Sequence, residues 1–302
     1  MRFAAAVLLL CTVAFGGAGG TRPLSAFNLF LGLTRAGDSV IAVGDRGSIV
    51  RSLDDGRTWT PVPSPTQATL CGVAFVDQER GWACGHEGSL LETRDAGATW
   101  TLRGGVLEPE ASALTLHNTG SQLVLAGAFG LLAVSNDKGD TWTVLPPPEG
   151  GPHIYSALPI DTGWLLAGEM GFLAELDGGS ALRVIGVDAP SLHVLLQLPS
   201  GSRLAAGLRG HALLGTDTGW EPFSLDSSQL AAAGVALVDN QVILAGQSGF
   251  WRVSTDGGQT FKEKPAPVGI TGVAAMLPCG DGSLIVAGEF GLRRLTREEV
   301  SP

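Results

Sequence analysis

A Gly-x-x-Gly tetrad recurs seven times in this chain, each time directly after a short apolar run. The first copy is "VGDRG" and the sixth is "AGQSG". The first glycines of the copies are Gly44, Gly85, Gly127, Gly168, Gly207, Gly246 and Gly288, at intervals of 41, 42, 41, 39, 39 and 42 residues. Self-similarity at a period near 40 residues indicates a repeat architecture.

Each repeat predicts four strands. In the second repeat these are "TLCGVAFV", "GWACG", "SLLETR" and "TWTLR", with glycine-bearing turns between them. No segment keeps a helical period, which excludes a helical solenoid. Seven such units predict an all-β fold, a seven-bladed β-propeller of four-stranded antiparallel blades, because a closed ring of sheets leaves only short edges. We expect one domain over residues 21–302.

A second signature lies between the third and fourth predicted strands, as in "RSLDDGRTW" (51 to 59) and "VSNDKGDTW" (134 to 142). Its Asp, Gly and aromatic positions are Asp54, Gly56, Trp59, Asp95, Gly97, Trp100, Asp137, Gly139, Trp142, Asp256, Gly258 and Phe261. Degenerate copies stand at Asp177/Gly179 and Asp217/Gly219. Four equivalent copies cannot all be one active site, and a calcium loop would need further spaced oxygen ligands. We therefore predict structural turns, in which Asp accepts backbone N–H bonds and the aromatic packs between blades.

The first residues predict an export signal. Arg2 precedes an apolar run from Phe3 to Phe15, and "GGAGG" follows. The run is shorter than the roughly 20 residues that span a bilayer, so we predict a signal peptide over residues 1–20 rather than a membrane anchor. A lipoprotein anchor at Cys11 is disfavoured because Leu10 is large. The mature protein is expected in the periplasm or outside the cytoplasmic membrane.

Charge and cysteine content exclude other classes. The net charge of −10 and the presence of only three lysines speak against a nucleic-acid partner. Cys71, Cys84 and Cys279 allow at most one disulfide in the mature chain. Cys71 and Cys84 fall on neighbouring predicted strands, where they could pair or remain buried thiols. Their spacing matches no zinc site, so neither a metal nor a cofactor is expected.

Propeller connectivity predicts where a partner would bind. The turn between the second and third strands lies on the same face as the blade-to-blade connections, opposite the acidic turns. We call it the tetrad face. Arginine and aromatic residues are enriched in interface anchors. The partner-binding candidates on this face are Arg46, Arg209, Phe129, Phe290, Glu87, Glu169 and Glu289. The Pro-rich connections "LPPPEGGPH" and "KEKPAPVG" supply stiff segments beside them.

An enzyme remains the alternative. Glu87, Glu169 and Glu289 invite comparison with the paired carboxylates of glycosidases, but they fall in different blades. A sialidase would need a nucleophilic Tyr and clustered Arg; Tyr155 is the only Tyr, and the Arg residues are scattered. The histidines His86, His153, His193 and His211 accompany no nucleophile motif. The residues themselves therefore favour a protein without catalytic activity.

The two signatures combine in "VGDRGSIVRSLDDGRTW", "CGHEGSLLETRDAGATW" and "AGQSGFWRVSTDGGQTF". The acidic turns resemble the Asp-box of bacterial neuraminidase repeats, and the chain after the signal resembles the photosystem II stability and assembly factor family and its bacterial relatives. The resemblance implies a non-catalytic, monomeric docking scaffold that assembles or stabilises a membrane complex. In phototrophs it implies an Arg-rich surface for photosystem II, of which only Arg46 and Arg209 are present here. In non-phototrophs it implies an accessory of an envelope transporter. The alternative is an Asp-box glycoside hydrolase acting on glycans.

Ring closure needs a separate hypothesis. The last repeat ends with "LRRLTREEV", which leaves no room for a fourth strand. We hypothesise that "TRPLS", near the mature N-terminus, completes that sheet.

Overall fold

The computed structural model describes residues 28–178, 180–216, 219–237 and 239–300. Within them the chain forms seven antiparallel sheets, five single 3-10 turns in the tetrads and one short α-helix, α1 (Arg297–Val300). The predicted all-β, seven-bladed propeller is thus confirmed. The predicted signal peptide over residues 1–20 and the segment proposed to close the ring lie outside the described residues. No helix in the described part of the chain is long and apolar enough to cross a membrane.

The strands follow one another along the chain, and those that are hydrogen-bonded within a blade are consecutive. Blades one to four contain, in order, β1 (Phe30–Ala36), β2 (Ser39–Gly44), β3 (Ile49–Ser52), β4 (Thr60–Val62); β5 (Leu70–Phe75), β6 (Gly81–Gly85), β7 (Leu90–Thr93), β8 (Thr101–Leu102); β9 (Ala113–Asn118), β10 (Leu123–Gly127), β11 (Leu132–Ser135), β12 (Thr143–Val144); β13 (Ile154–Ile160), β14 (Gly163–Gly168), β15 (Leu173–Asp177), β16 (Leu182–Val184).

The remaining blades repeat this order. Blades five to seven contain β17 (Leu192–Gln197), β18 (Arg203–Gly207), β19 (His211–Thr216), β20 (Gly219–Ser224); β21 (Ala231–Ala236), β22 (Val242–Gly246), β23 (Trp251–Ser254), β24 (Lys262–Glu263); β25 (Val273–Pro278), β26 (Leu284–Gly288), β27 (Gly291–Leu295). In the described residues blade seven therefore has three strands, followed by α1 at the position where the other blades turn into a fourth strand.

The first strand of each blade lies at the centre of the ring. It contacts the first strands of the blades on either side, and β1 contacts β25, so the ring is closed. The second strands, such as β10 and β22, are buried along their whole length, whereas the fourth strands β8, β12 and β24 are exposed. This gradient explains the sequence pattern, because a strand covered on both sides reads as a continuous apolar run.

The hydrophobic core lies between blades rather than in one centre. One cluster joins Trp82 of blade two to Leu123 of blade three, and another joins Ala42 of blade one to Ala287 of blade seven. Each blade therefore buries its apolar surface only against its two neighbours. Such packing holds the ring rigid while both of its faces stay free.

Candidate docking face

The acidic turns lie on the face opposite the tetrads, and their polar groups are engaged locally. Asp54 accepts bonds from the backbone N–H of Thr58 at 2.8 Å, from the Thr58 hydroxyl at 2.6 Å and from the Ser52 hydroxyl at 2.7 Å. The N–H of Gly56 donates to the Ser52 hydroxyl at 2.8 Å. These bonds lower the pKa of Asp54 to about 2, the Thr58 hydroxyl contributing most.

The same contacts recur in the other three complete copies. The hydroxyl acceptors of the glycine N–H are Thr93, Ser135 and Ser254, and the hydroxyl donors to the aspartates are Thr99, Thr141 and Thr260. The aspartate oxygens are thus occupied by hydrogen bonds within the turn. Of the degenerate copies, Gly179 and Asp217 lie outside the described residues.

The glycine and aromatic of an acidic turn contact the preceding blade. A Cβ added to Gly56 would lie 2.5 Å from Cδ1 of Ile285, which belongs to blade seven. Trp142 of blade three packs edge-on against Trp82 of blade two, with ring centroids 5.7 Å apart, and Phe261 of blade six packs likewise against Phe223 of blade five at 6.0 Å. The turns therefore join adjacent blades.

The first glycine of each tetrad allows a close backbone approach. Its backbone is extended, but a Cβ on Gly85 would lie 2.0 Å from the carbonyl oxygen of Thr69, where the preceding connection enters the first strand. Equivalent oxygens lie 1.8 to 2.1 Å from the same position in the other blades. No side chain can occupy that space, so glycine is required there.

The second glycine fastens the incoming connection. The N–H of Gly88 donates to the carbonyl of Ala111 at 2.8 Å, and that of Gly130 to the carbonyl of Pro152 at 2.9 Å. Both glycines have positive φ, of 61° and 73°. The tetrad is thus the element that ties a blade-to-blade connection to the face it crosses.

The residue before the second glycine is left-handed in six tetrads: Arg46, Glu87, Phe129, Met170, Arg209 and Ser248 have φ between 49° and 58°. This conformation turns the side chain toward solvent, so Phe129 is 78% exposed and Met170 is 77% exposed. Blade seven differs, because Phe290 packs against the core of its blade. The left-handed turns thus hold two large apolar side chains, Phe129 and Met170, on the surface of the tetrad face.

Each first strand carries one bulged residue. It directly follows the residue that is paired with the first glycine of the tetrad. The bulged residues are Leu31, Cys71, Leu114, Tyr155, His193, Ala232 and Ala274. Because the first strands surround the axis, we call this set the channel-mouth ring. Leu31 and Cys71 line a cavity of about 280 Å³ between the first strands.

An aromatic ladder crosses the tetrad face at this ring. It consists of Phe129, His153, Tyr155 and His193, whose consecutive ring centroids lie 4.9, 6.2 and 4.2 Å apart. Tyr155 and His193 are stacked at 14°, whereas the other two pairs meet edge to face. The ladder therefore joins the tetrad of blade three to the first strands of blades four and five.

Burial keeps two members of the ladder, Tyr155 and His193, uncharged. Burial and the nearby charge of Glu169 raise the pKa of Tyr155, which stays a neutral phenol. Burial lowers the pKa of His193, which is a neutral imidazole at pH 7. Glu169 accepts a bond from the backbone N–H of His153 at 3.3 Å.

Of the predicted partner-binding residues, the structure brings Phe129 and Glu169 together at the ladder. Arg46, Glu87, Arg209 and Glu289 stand in the tetrads of other blades. In the described residues no hydrogen bond or ion pair joins Glu87, Glu169 and Glu289 to one another. His153, Tyr155 and His193 were not among the predicted partner-binding residues, although Tyr155 and His193 occupy equivalent positions in consecutive repeats.

Cys71, Cys84 and Cys279, the cysteines of the described residues, are free thiols. Burial raises the pKa of Cys71 to about 11 and that of Cys84 well above its ordinary value. Because the thiolate is the reactive form, neither is a good nucleophile at neutral pH.

Comparison with known proteins supports the predicted resemblance. Residues 52–154 match the family model described as Photosynthesis system II assembly factor YCF48. A segment of 50 residues is 38% identical to the uncharacterized protein YkuO of Bacillus subtilis (strain 168), covering 17% of this chain and 16% of that protein. The resemblance to the photosystem II assembly factors is confirmed on this basis.

Solved structures share the fold. YCF48 bound to D1 peptide superposes with a TM-score of 0.73 and 20% identity, covering 91% of this chain and 94% of the other. YCF48 from Cyanidioschyzon merolae gives 0.74 and 16%, covering 92% and 98%. A streptogramin B lyase gives 0.78 and 12%, covering 90% and 94%. At these identities the likeness establishes the propeller fold alone.

Proposed function

We propose that this propeller, similar to the photosystem II assembly factors, is an exported, non-catalytic docking scaffold that assembles or stabilises a membrane complex. The observation that carries the proposal is the aromatic ladder at the channel mouth, which includes the exposed Phe129 and lies beside the exposed Met170. YCF48 bound to D1 peptide shows that a propeller of this shape can hold a peptide. The partner here is a subunit of a membrane complex, of photosystem II in a phototroph or of an envelope transporter otherwise.

The rigidity of the ring supports docking. The tetrad glycines hold the connections against the sheets, so the face is formed before a partner arrives and little conformational entropy is lost on binding. Aromatic side chains in the middle of such a face are typical anchors of protein interfaces. The proposal follows from this combination of a fixed frame and exposed apolar groups.

The proximity of Tyr155 and Glu169 favours a second candidate, a sialidase-like hydrolase. That activity would need a more acidic phenol and cations for the substrate carboxylate. Here the pKa of Tyr155 is raised, and Glu169 is the charged group that contributes to this shift. Docking therefore accounts better for the site.

Affinity capture from the native envelope fraction tests the proposal. The wild-type protein is compared with the Phe129→Ala/Met170→Ala variant and with Leu53→Ala, which removes a 69% exposed side chain from the opposite face. We expect the double variant to lose the captured membrane protein and Leu53→Ala to retain it. Equal recovery by all three would exclude this face. If the protein turns over a fluorogenic sialoside and Glu169→Gln abolishes that turnover, the protein is a hydrolase and the docking proposal is wrong.

A further inference from the structure

The tetrad face around the aromatic ladder is strongly acidic. The carboxylates in the tetrads and connections of blades two to four are Glu87, Glu108, Glu110, Glu149, Glu169 and Asp188. All of them except the half-buried Glu169 are exposed. The tetrads of these blades and the connections over residues 104–112, 146–153 and 185–191 contain neither Lys nor Arg. On the side of blades two to four, the ladder is thus bordered by carboxylates alone.

The cations of the tetrad face lie outside the tetrads and connections of blades two to four. Arg46 belongs to blade one, where its Nε is 3.4 Å from the carboxylate of Asp45. Arg209 belongs to the tetrad of blade five, whose first strand also carries His193 of the ladder. Lys264 belongs to the connection between blades six and seven. The carboxylates of blades two to four on this face therefore have no cation in the same tetrads and connections to compensate them, and the net charge of −10 of the whole chain adds to their negative potential.

We infer that the aromatic ladder and its border of carboxylates bind an extended, cationic peptide segment of the partner, rich in arginine and carrying apolar side chains. This rests on the docking function proposed above and names the chemistry of the partner. Guanidinium groups stack on aromatic faces and pair with carboxylates at the same time. Phe129 and Tyr155 offer the aromatic surfaces. Glu169 accepts the backbone N–H of His153, and the exposed Glu149 precedes His153 in the same connection.

The dimensions of the ladder limit the segment it can hold. With centroid spacings of 4.9, 6.2 and 4.2 Å, the ladder is covered by at most about five residues of extended chain at roughly 3.3 Å each. Met170, beside the ladder, donates its backbone N–H to the Ser191 hydroxyl at 3.3 Å and leaves its exposed side chain for an apolar residue of the peptide. A short alternating peptide is therefore a sufficient probe.

Fluorescence anisotropy with two labelled peptides tests the inference. One peptide alternates Arg and Leu over five residues, and the other alternates Glu and Leu. We expect the arginine peptide to bind at least tenfold more tightly than the glutamate peptide and to lose affinity as NaCl is raised. Equal binding of the two peptides, or tighter binding of the glutamate peptide, would overturn the inference.

Variants locate the binding. Glu149→Gln/Glu169→Gln should weaken the arginine peptide about tenfold without unfolding the protein, because the glutamine oxygen at position 169 still accepts the His153 N–H. Phe129→Ala should weaken it similarly. The matched controls are Asp161→Asn and Leu53→Ala, both exposed on the opposite face, and we expect them to bind as the wild type does. If the controls weaken binding as much as the ladder variants do, the net charge of the whole chain attracts the peptide rather than the ladder and its carboxylates. The inference then fails.

The two proposals can fail separately. If envelope capture depends on Phe129 while the arginine peptide does not bind, the docking function stands and the cationic partner is wrong. If the peptide binds but no envelope protein is captured through Phe129, the recognition chemistry stands and the role in a membrane complex is wrong.

Discussion

At the scale of single residues, each tetrad requires glycine at its first and last positions but accepts different residue types at the position before the last glycine. Gly130 has a φ of 73°, and a Cβ there would lie 2.9 Å from the Pro147 side chain. Phe129, next to it, is also left-handed but faces solvent. The backbone of the turn is therefore fixed by glycine, while the exposed side chain is free to vary with the partner.

Phe129→Gly should leave the protein as stable as the wild type or more stable, by up to about 1 kcal/mol, because a left-handed phenylalanine is strained by roughly that amount and buries little. Chemical denaturation measures this. Gly130→Ala provides the contrast and should destabilise the fold, since both its conformation and its contacts oppose a Cβ. A clear loss of stability in Phe129→Gly would show that Phe129 is a packing residue, not one held for binding.

At the scale of elements, the acidic turns act as small hydrogen-bonded units. Asp137 accepts the backbone N–H of Thr141 at 2.9 Å and the Thr141 hydroxyl at 2.6 Å. These bonds lower its pKa to about 2, below the value near 3.9 expected in the unfolded chain. A carboxyl whose pKa is lowered on folding adds stability above the unfolded value, and this stability is lost as the pH falls through the folded value.

Asp137→Asn should therefore destabilise the protein by about 1 kcal/mol at pH 6, and the difference from the wild type should shrink between about pH 4 and pH 2. Urea unfolding across this range gives the measurement. Leu53→Ala, which removes an exposed apolar group from another acidic turn, is the control whose difference from the wild type should not vary with pH. A pH-independent effect of Asp137→Asn would mean that the charge of the carboxylate does not matter.

At the scale of the whole molecule, the described residues show how blade seven meets blade one. Arg294 of blade seven donates from Nε to the carbonyl of Asp55 at 3.0 Å and also pairs with the carboxylates of Asp55 and Asp281. The Arg294 side chain is only 16% exposed. Ile285 packs against Gly56 at the same junction. The seam is thus held by apolar contacts and by a half-buried cluster of charges.

Arg294→Ala should lower the free energy of unfolding by about 1 to 3 kcal/mol, because it leaves the Asp55 carbonyl without this donor and removes the cation that Asp55 and Asp281 share. The two carboxylates keep their contacts with Arg35 and Ser283, respectively. Arg183→Ala serves as the control: Arg183 pairs with Glu175 within blade four and is 69% exposed, so its loss should cost less than about 1 kcal/mol. Thermal and chemical unfolding of both variants measure the two losses of stability. Equal effects would show that the seam does not depend on this cluster.

The hypothesis that residues 21–26 complete blade seven is tested by deleting them. With only three strands in the described part of that blade, its outer edge lacks a partner strand, and an added strand would cover backbone groups and apolar surface. We expect the deletion to lower the melting temperature clearly. An unchanged melting temperature would contradict this mode of closure.

The sequence by itself determined the blade number, the strand order and the face of each turn, because these depend on local features that repeat. A glycine that a close backbone contact requires, such as Gly85, and an aspartate that caps a turn, such as Asp137, recur in the repeats and can be recognised in the sequence. The tertiary structure alone decided which variable residues meet. Phe129, Tyr155 and His193 are far apart in the chain and belong to three blades, and only the closing of the ring places their side chains in one ladder.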